Sequence, residues 1–274
     1  MFTLNCRGKL LLIDKPVVMG IINVTPDSFF AGSRQENLQA LLTGAEKMIR
    51  DGALFLDIGG QSTRPGSEVL HAEQEMERIL PVMDALQANF PETLLSVDTY
   101  HSTVAREAIF HGATLINDIS GGRFDENMLS FAASQGVPYS CMHTKGSREN
   151  MHLPQTYTNL TAELVDYFIE RIDACAKAGI QDIVIDPGFG FSKNAAQNFE
   201  LMRQLETFTL LGKPLLVGIS RKSTIYQTLG ITAEEALNGT TVLHTACLLK
   251  GANILRVHDV KEAMEAIELT SYLK

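Results

Sequence analysis

Val17-Val-Met-Gly-Ile-Ile-Asn23 is a short apolar run, rich in β-branched residues, that stops at a polar side chain and gives way to a helical stretch. The same pattern returns seven times downstream. Residues 54–56 stop at Asp57, 94–97 at Asp98, 114–116 at Asn117, 137–142 at His143, 183–185 at Asp186, 215–219 at Ser220 and 254–255 at Arg256. Continuous short runs of this kind suit strands covered on both faces, as in a parallel sheet. Eight β-then-α units predict a TIM (β/α)8 barrel, an α/β fold whose active site is built where the strands end. The pattern therefore predicts both the fold and the address of the chemistry.

The spaces between the runs read as helices. Leu38, Leu41, Leu42, Ala45, Met48 and Ile49 share one face, as do Met76, Ile79, Leu80, Met83 and Leu86. Leu164, Val165, Phe168, Ile172 and Cys175 form another stripe, and Val260, Ala263, Met264 and Ile267 the last. Each has the 3.6-residue period of a helix covering a core. Gly52, Gly112, Gly136, Gly179 and Gly251 precede strands, where a helix end favours a residue that accepts positive φ. Residues 2–13 read as a β-hairpin that plugs the amino-terminal mouth of the barrel. The loops 25–37 and 59–71 are long for a compact barrel, which points to lids or binding loops.

At 274 residues and 45 % hydrophobic content, one barrel domain spanning 1–274 accounts for the chain. A net charge of −9 argues against nucleic acid, because phosphate neutralisation needs clustered Lys and Arg. A small-molecule partner fits better. Cys6, Cys141, Cys175 and Cys247 form no Cys-x-x-Cys pair, so reduced thiols in a cytoplasm are expected rather than zinc or disulfides. Residues 10–13 are too short for a signal peptide or a membrane span, and no membrane partner is expected. The sequons at Asn23, Asn159 and Asn238 have no meaning in such a compartment.

Asp57, Asp98 and Asp186 end strands two, three and six, so their carboxylates should converge on one mouth together with Asn117. Three chemistries fit: a divalent-metal site, a general acid/base pair, or recognition of a flat, donor-rich heterocycle. Arg64, Arg221, Lys222, Arg256 and His258 add a cationic side near strands seven and eight, where barrels commonly hold phosphate. Asp259 reads as a helix N-cap. Lys222, lowered in pKa by neighbouring cations, would also suit a Schiff-base aldolase. The run 188–193 lacks the third glycine and the following acidic residue of a dinucleotide fingerprint, which excludes a Rossmann reading.

The motifs Met19-Gly-Ile-Ile-Asn-Val-Thr-Pro-Asp-Ser-Phe29, Asp57-Ile-Gly-Gly-Gln-Ser-Thr-Arg-Pro-Gly66, Ser96-Val-Asp-Thr99 and Ile116-Asn-Asp-Ile-Ser-Gly-Gly122 stand in that order. Asp186-Pro-Gly-Phe-Gly-Phe191, Gly218-Ile-Ser-Arg-Lys-Ser223 and Leu255-Arg-Val-His-Asp-Val260 follow. Across essentially the whole chain these closely resemble the dihydropteroate synthases, folate-pathway enzymes targeted by sulfonamides. The resemblance implies a pterin-binding barrel, usually a homodimer. It implies joining 6-hydroxymethyl-7,8-dihydropterin diphosphate to 4-aminobenzoate, with Mg2+ and release of pyrophosphate. By the same resemblance Asp186, Asn117, Asp98 and Lys222 would read the pterin edge, and Arg256 would stack on its face. Asn23 would be the Mg2+ contact, with Thr63, Arg64, Arg256 and His258 on the diphosphate. The aminobenzoate would lie near Thr63, Pro65, Phe191, Ser220 and Lys222. Asp98, Lys222, Arg256 and His258 would carry the catalysis, with Asp57 and His143 as supports.

Two positions depart from the family pattern, Gln61 in place of Glu and Ser192 in place of Gly. Ser192 adds a Cβ where its loop is expected to approach the aminobenzoate pocket. Rival readings remain a corrinoid methyltransferase of the same barrel family, which would lack the diphosphate side, and a catalytically silent pterin binder.

Overall fold

The computed structural model describes residues 1–24, 34–61 and 70–273. β1 (Phe2–Cys6) and β2 (Lys9–Ile13) form an antiparallel hairpin. There follow β3 (Val17–Asn23), α1 (Arg34–Arg50), β4 (Phe55–Gly59), α2 (Ala72–Asn89), β5 (Leu94–Asp98) and α3 (Ser102–Phe110). Next come β6 (Ala113–Asp118), α4 (Met128–Gln135), β7 (Tyr139–Met142), α5 (Leu160–Ala178), β8 (Ile183–Asp186) and α6 (Ala195–Arg203). The chain ends with β9 (Leu216–Val217), α7 (Ser223–Leu229), α8 (Leu237–Leu249), β10 (Ile254–Val257) and α9 (Val260–Ser271). Strands β3 to β10 pair in parallel in the order β8-β7-β6-β5-β4-β3-β10-β9. A parallel bridge between Ile185 and Leu215 closes the circle. This is the expected barrel.

The period of two along each strand divides the apolar residues into two cores. Outward-facing Val18, Leu56, Val97, Ile116, Tyr139, Ile185, Val217 and Leu255 pack against the helices. Inward-facing Met19, Phe55, Leu94, Leu115, Val184, Leu216 and Ile254 fill the lower barrel, and Leu4, Cys6 and Ile13 of the hairpin join that cluster. The hairpin therefore plugs the amino-terminal mouth, as its sequence predicts. All four cysteines are free and buried. The five glycines ahead of strands all have positive φ, from +60° at Gly136 to +107° at Gly52. Among the described residues, no helix is long and apolar enough to cross a membrane.

Two boundaries differ from the sequence reading in ways that matter. β4 continues past Asp57 to Gly59, so Asp57 does not end its strand but sits a layer below the rim. β10 likewise runs through Arg256 to Val257. The seventh barrel strand is short: Leu216 and Val217 pair with β10, and Leu215 bridges to Ile185. α1 begins at Arg34, so the long loop expected to reach residue 37 ends earlier.

Candidate active site

Register builds the mouth. Asn23 pairs with Gly59, Gly59 with Asp98, and Asp98 with Asn117, so four neighbouring strands present one layer at their carboxyl ends. One strand further, Ser140 pairs with Asn117. Asn23 is exposed at this rim, whereas Asn117 is buried.

Below that layer, Asp57 organises the floor. It is fully buried, and its carboxylate accepts from Ser96 Oγ at 2.5 Å, Asn117 Nδ2 at 3.0 Å and Arg256 Nε at 2.6 Å. A second nitrogen of Arg256, Nη2, donates to Asp98 Oδ2 at 2.7 Å. The guanidinium thus bridges two carboxylates in a planar fork, the geometry that arginine provides and lysine does not. Burial works against its charge, and the Asp57 and Asp98 carboxylates more than offset this, so its pKa lies above its ordinary value. Burial pushes Asp98 up to about 7, against the pull of Arg256 and with the Asp57 charge adding to the rise. Because Asp57 and Asp98 are consumed by Arg256, the carboxylates do not gather as a metal cage. No group of three or more metal-ligating side chains occurs among the described residues.

Asp186 ends β8 and is buried; burial raises its pKa, while Lys222 and the Gly188 N–H oppose the rise. One of its oxygens accepts from Gly188 N at 2.8 Å. The Gly188 position admits only glycine, because at φ +71° a Cβ would stand 2.1 Å from the His143 carbonyl oxygen. Lys222 precedes α7, donates to the Phe189 carbonyl and lies 4.6 Å from the centroid of the Phe191 ring. Burial lowers its pKa to about 8, with Asp186 resisting. Ser220 Oγ meets His258 Nδ1 at 3.0 Å and accepts from the His258 N–H at 3.2 Å. Desolvation of the imidazole, then the Arg256 charge, lowers the His258 pKa. These groups converge on the same mouth; Thr63, Arg64 and Pro65 lie outside the described residues.

Other expectations are corrected. Arg221 is no anion ligand: its Nε and Nη2 hold Asp259 at 2.7 and 2.8 Å, and its Nη1 donates to the carbonyls of Ala233 and Glu234. Asp259 precedes α9 but makes no capping bond, because Arg221 takes its carboxylate. Ser192, at φ +52°, is fully buried, and its Oγ accepts from Lys145 N and meets Tyr157 OH. It stitches its loop to the β7 loop. Gln61 Oε1 accepts from the Leu70 N–H across the base of the second long loop.

Sequence reasoning missed Lys193 and Glu75. Lys193 Nζ is buried beneath the β8 loop against His143 Nδ1 at 3.0 Å, and burial lowers its pKa to about 7. Glu75 is buried on α2 beside Gly60, and burial, reinforced by Asp98, raises it to about 8. A charged side chain defaults to solvent in a sequence reading. The only signal was position, since Glu75 falls beside the apolar stripe of its helix.

A family model described as pterin binding enzyme matches residues 19–258. The chain is 41 % identical to the dihydropteroate synthase of Escherichia coli over 97 % of its own length and 94 % of that protein's. Among solved structures, the Yersinia pestis dihydropteroate synthase in complex with a sulfonamide drug superposes with a TM-score of 0.92 at 39 % identity, covering 99 % of both chains. The Xanthomonas albilineans dihydropteroate synthase with 4-aminobenzoic acid gives 0.91 at 38 % identity, covering 99 % of this chain and 97 % of that one.

Proposed function

Because the chain belongs to the pterin-binding enzymes and, among them, to the dihydropteroate synthases, we propose a division of its mouth into a floor that reads a pterin and a rim that takes the leaving diphosphate. The reaction is the condensation of 6-hydroxymethyl-7,8-dihydropterin diphosphate with 4-aminobenzoate to give 7,8-dihydropteroate and pyrophosphate. The observation that supports the division is the convergence of Asp98, Asn117 and Asp186 opposite Lys222 and Arg256.

Asp186 accepts from the 2-amino group and the adjacent ring N–H of the pterin. Asn117 donates its amide to Asp57, which keeps its oxygen as an acceptor for the ring. Lys222 donates to the pterin carbonyl and ring nitrogen, and Arg256 lies against the ring face. Thr63, Arg64, Arg256 and His258 hold the diphosphate. Thr63, Pro65, Phe191, Ser220 and Lys222 surround the aminobenzoate. A single exposed amide oxygen at Asn23 fits Mg2+, which keeps most of its waters and binds mainly through substrate phosphates. When bound, Mg2+ supplies charge to the departing diphosphate.

In the reaction the methylene C–O bond breaks and its electron pair leaves with the diphosphate. The electron-rich ring delocalises the resulting cation, and ionised Asp98 favours it electrostatically. The neutral arylamine nitrogen then forms the C–N bond and releases a proton. Holding nucleophile and electrophile in line supplies much of the rate, up to roughly 7–11 kcal/mol for well-oriented partners. Exposed Val242 and Leu249 of α8, beside Leu269 of α9 and Tyr272 just past its end, support a homodimer in which a second copy covers that face.

The test is pyrophosphate release from purified protein with both substrates and Mg2+. Release that requires the arylamine supports the reading, whereas pterin binding without release leaves the silent binder.

A further inference from the structure

Lys193 and His143 are both 4 % exposed, and Lys193 makes no ion pair among the described residues. Asp186 supports its charge from a distance, but burying an ammonium with no carboxylate bonded to it is costly unless hydrogen bonds replace its water. Three do. Lys193 Nζ meets His143 Nδ1 at 3.0 Å and donates to the carbonyls of Gly188 at 3.1 Å and Phe191 at 3.2 Å. An ammonium has three N–H donors, so its capacity is filled. Burial, with the Lys193 charge adding, keeps His143 well below its ordinary pKa, so the imidazole is neutral, and in the tautomer protonated at Nε2 its Nδ1 accepts from Lys193.

These acceptors come from two strand ends. His143 follows β7, while Gly188 and Phe191 belong to the loop after β8. That loop has little freedom elsewhere. Phe191 N donates to Gly188 O at 3.2 Å, Ser192 N to Met151 O at 2.7 Å, and Gly190 N to Asn198 Oδ1 at 2.9 Å. Lys193 is the group that ties both ends of the Gly188–Phe191 turn to the barrel wall. Above it stands the Phe191 ring, with Lys222 Nζ on one side and the His152 ring 5.6 Å away. Asp186 makes no hydrogen bond to Lys193 and is fixed first by its own strand, with the Gly188 N–H and the more distant Lys193 charge as lesser supports.

We propose that Lys193, acting through His143 and the carbonyls of Gly188 and Phe191, is a positioning residue for the arylamine site and sets the Phe191 ring on which the aminobenzoate lies. The inference rests on the assignment of Phe191 to that site. It separates the two substrates: loss of Lys193 loosens the arylamine wall and leaves the pterin floor in place.

The experiment compares Lys193→Met, His143→Leu, His143→Asn and Phe191→Ala for the arylamine KM, kcat, pterin diphosphate affinity and thermal midpoint. Lys193→Met preserves length without donors, and His143→Asn keeps an acceptor near the Nδ1 position. Lys193→Met takes one of two bonds from each carbonyl, leaving Gly188 O the Phe191 N–H and Phe191 O the Ser192 hydroxyl, while His143→Leu removes the anchor on the barrel wall, so the arylamine KM should rise about tenfold in both. Pterin affinity and kcat should stay within about threefold, the span left by ordinary non-additivity. His143→Asn should recover most of the loss, and the Lys193→Met/His143→Leu pair should be no worse than either change alone. An unchanged arylamine KM in folded Lys193→Met overturns the inference, as does a parallel fall in arylamine affinity, kcat and pterin affinity. If Lys193→Met does not fold, equal arylamine KM values in His143→Leu and His143→Asn overturn it. An unchanged arylamine KM in Phe191→Ala overturns the assignment of the arylamine site instead.

Discussion

Replacing Asp57 and Asp98 one at a time by Asn should produce opposite rankings in stability and in turnover. Asp57 is fully buried and accepts three hydrogen bonds, one of them from a guanidinium. An Asn there can keep the Ser96 bond, but its amide N–H2 then faces the donors of Arg256 and Asn117. Hydrogen bonds to charged groups contribute about 1.5–3 kcal/mol each, and removing one partner of a buried pair costs about 3–5 kcal/mol. Asp98 still partly neutralises Arg256, which places the loss near ~3 kcal/mol by the same reasoning. In a chain of this size that corresponds to a midpoint lower by about 6–12 °C. Among the described residues Asp98 accepts a single bond, and its side chain is 13 % exposed, so Asp98→Asn should lose only about 1–2 kcal/mol. Turnover reverses the order. Removing the charge beside the forming cation should lower kcat by about a hundredfold or more, whereas Asp57→Asn, acting through a displaced Arg256, should cost about tenfold. Thermal melts and pyrophosphate release, both measured near pH ~8, where Asp98 with its pKa of about 7 is ionised in the wild type, decide the matter. A larger loss of stability in Asp98→Asn, or equal losses of turnover, would refute the role given to Asp57.

The pH profile of kcat/KM should be a narrow bell. With the roles proposed for these residues, activity should rise with pH as Asp98 ionises, at a pKa of about 7, and fall as Lys222 loses its proton, at a pKa of about 8. Steady-state rates of wild type and Asp98→Asn check this, because the acid limb should vanish in the variant. Arg221→Ala should lower the thermal midpoint, since it frees Asp259 and two carbonyls, yet leave the KM for the pterin diphosphate within about twofold. A large rise in that constant would return Arg221 to the anion side.

The strands, the helical stripes and the hairpin plug were legible because each rests on a local period, two or 3.6, that needs no partner to be read. Asp98, Asn117 and Asp186 were legible for the same reason: a polar residue closing an apolar run must face the mouth. Asp57 and Arg256 were not placed correctly, because strand length depends on pairing with neighbours, and β4 and β10 run further than their own apolar residues indicate. Arg221 and Lys193 show the other limit. Whether a cation serves a ligand or the scaffold depends on what stands opposite it, Asp259 in one case and two loop carbonyls with a neutral imidazole in the other. Those partners are distant in sequence or hidden in loop geometry.

In the proposed site the floor reads the heterocycle, with Asp186 as its principal acceptor. Titration calorimetry of 6-hydroxymethyl-7,8-dihydropterin diphosphate into wild type and into Asp186→Ala tests it most directly. A paired, buried carboxylate lost from a recognition site should weaken binding by about a hundredfold, with the folded barrel retained. Affinity within about threefold of wild type, less than about 1 kcal/mol, would contradict the account.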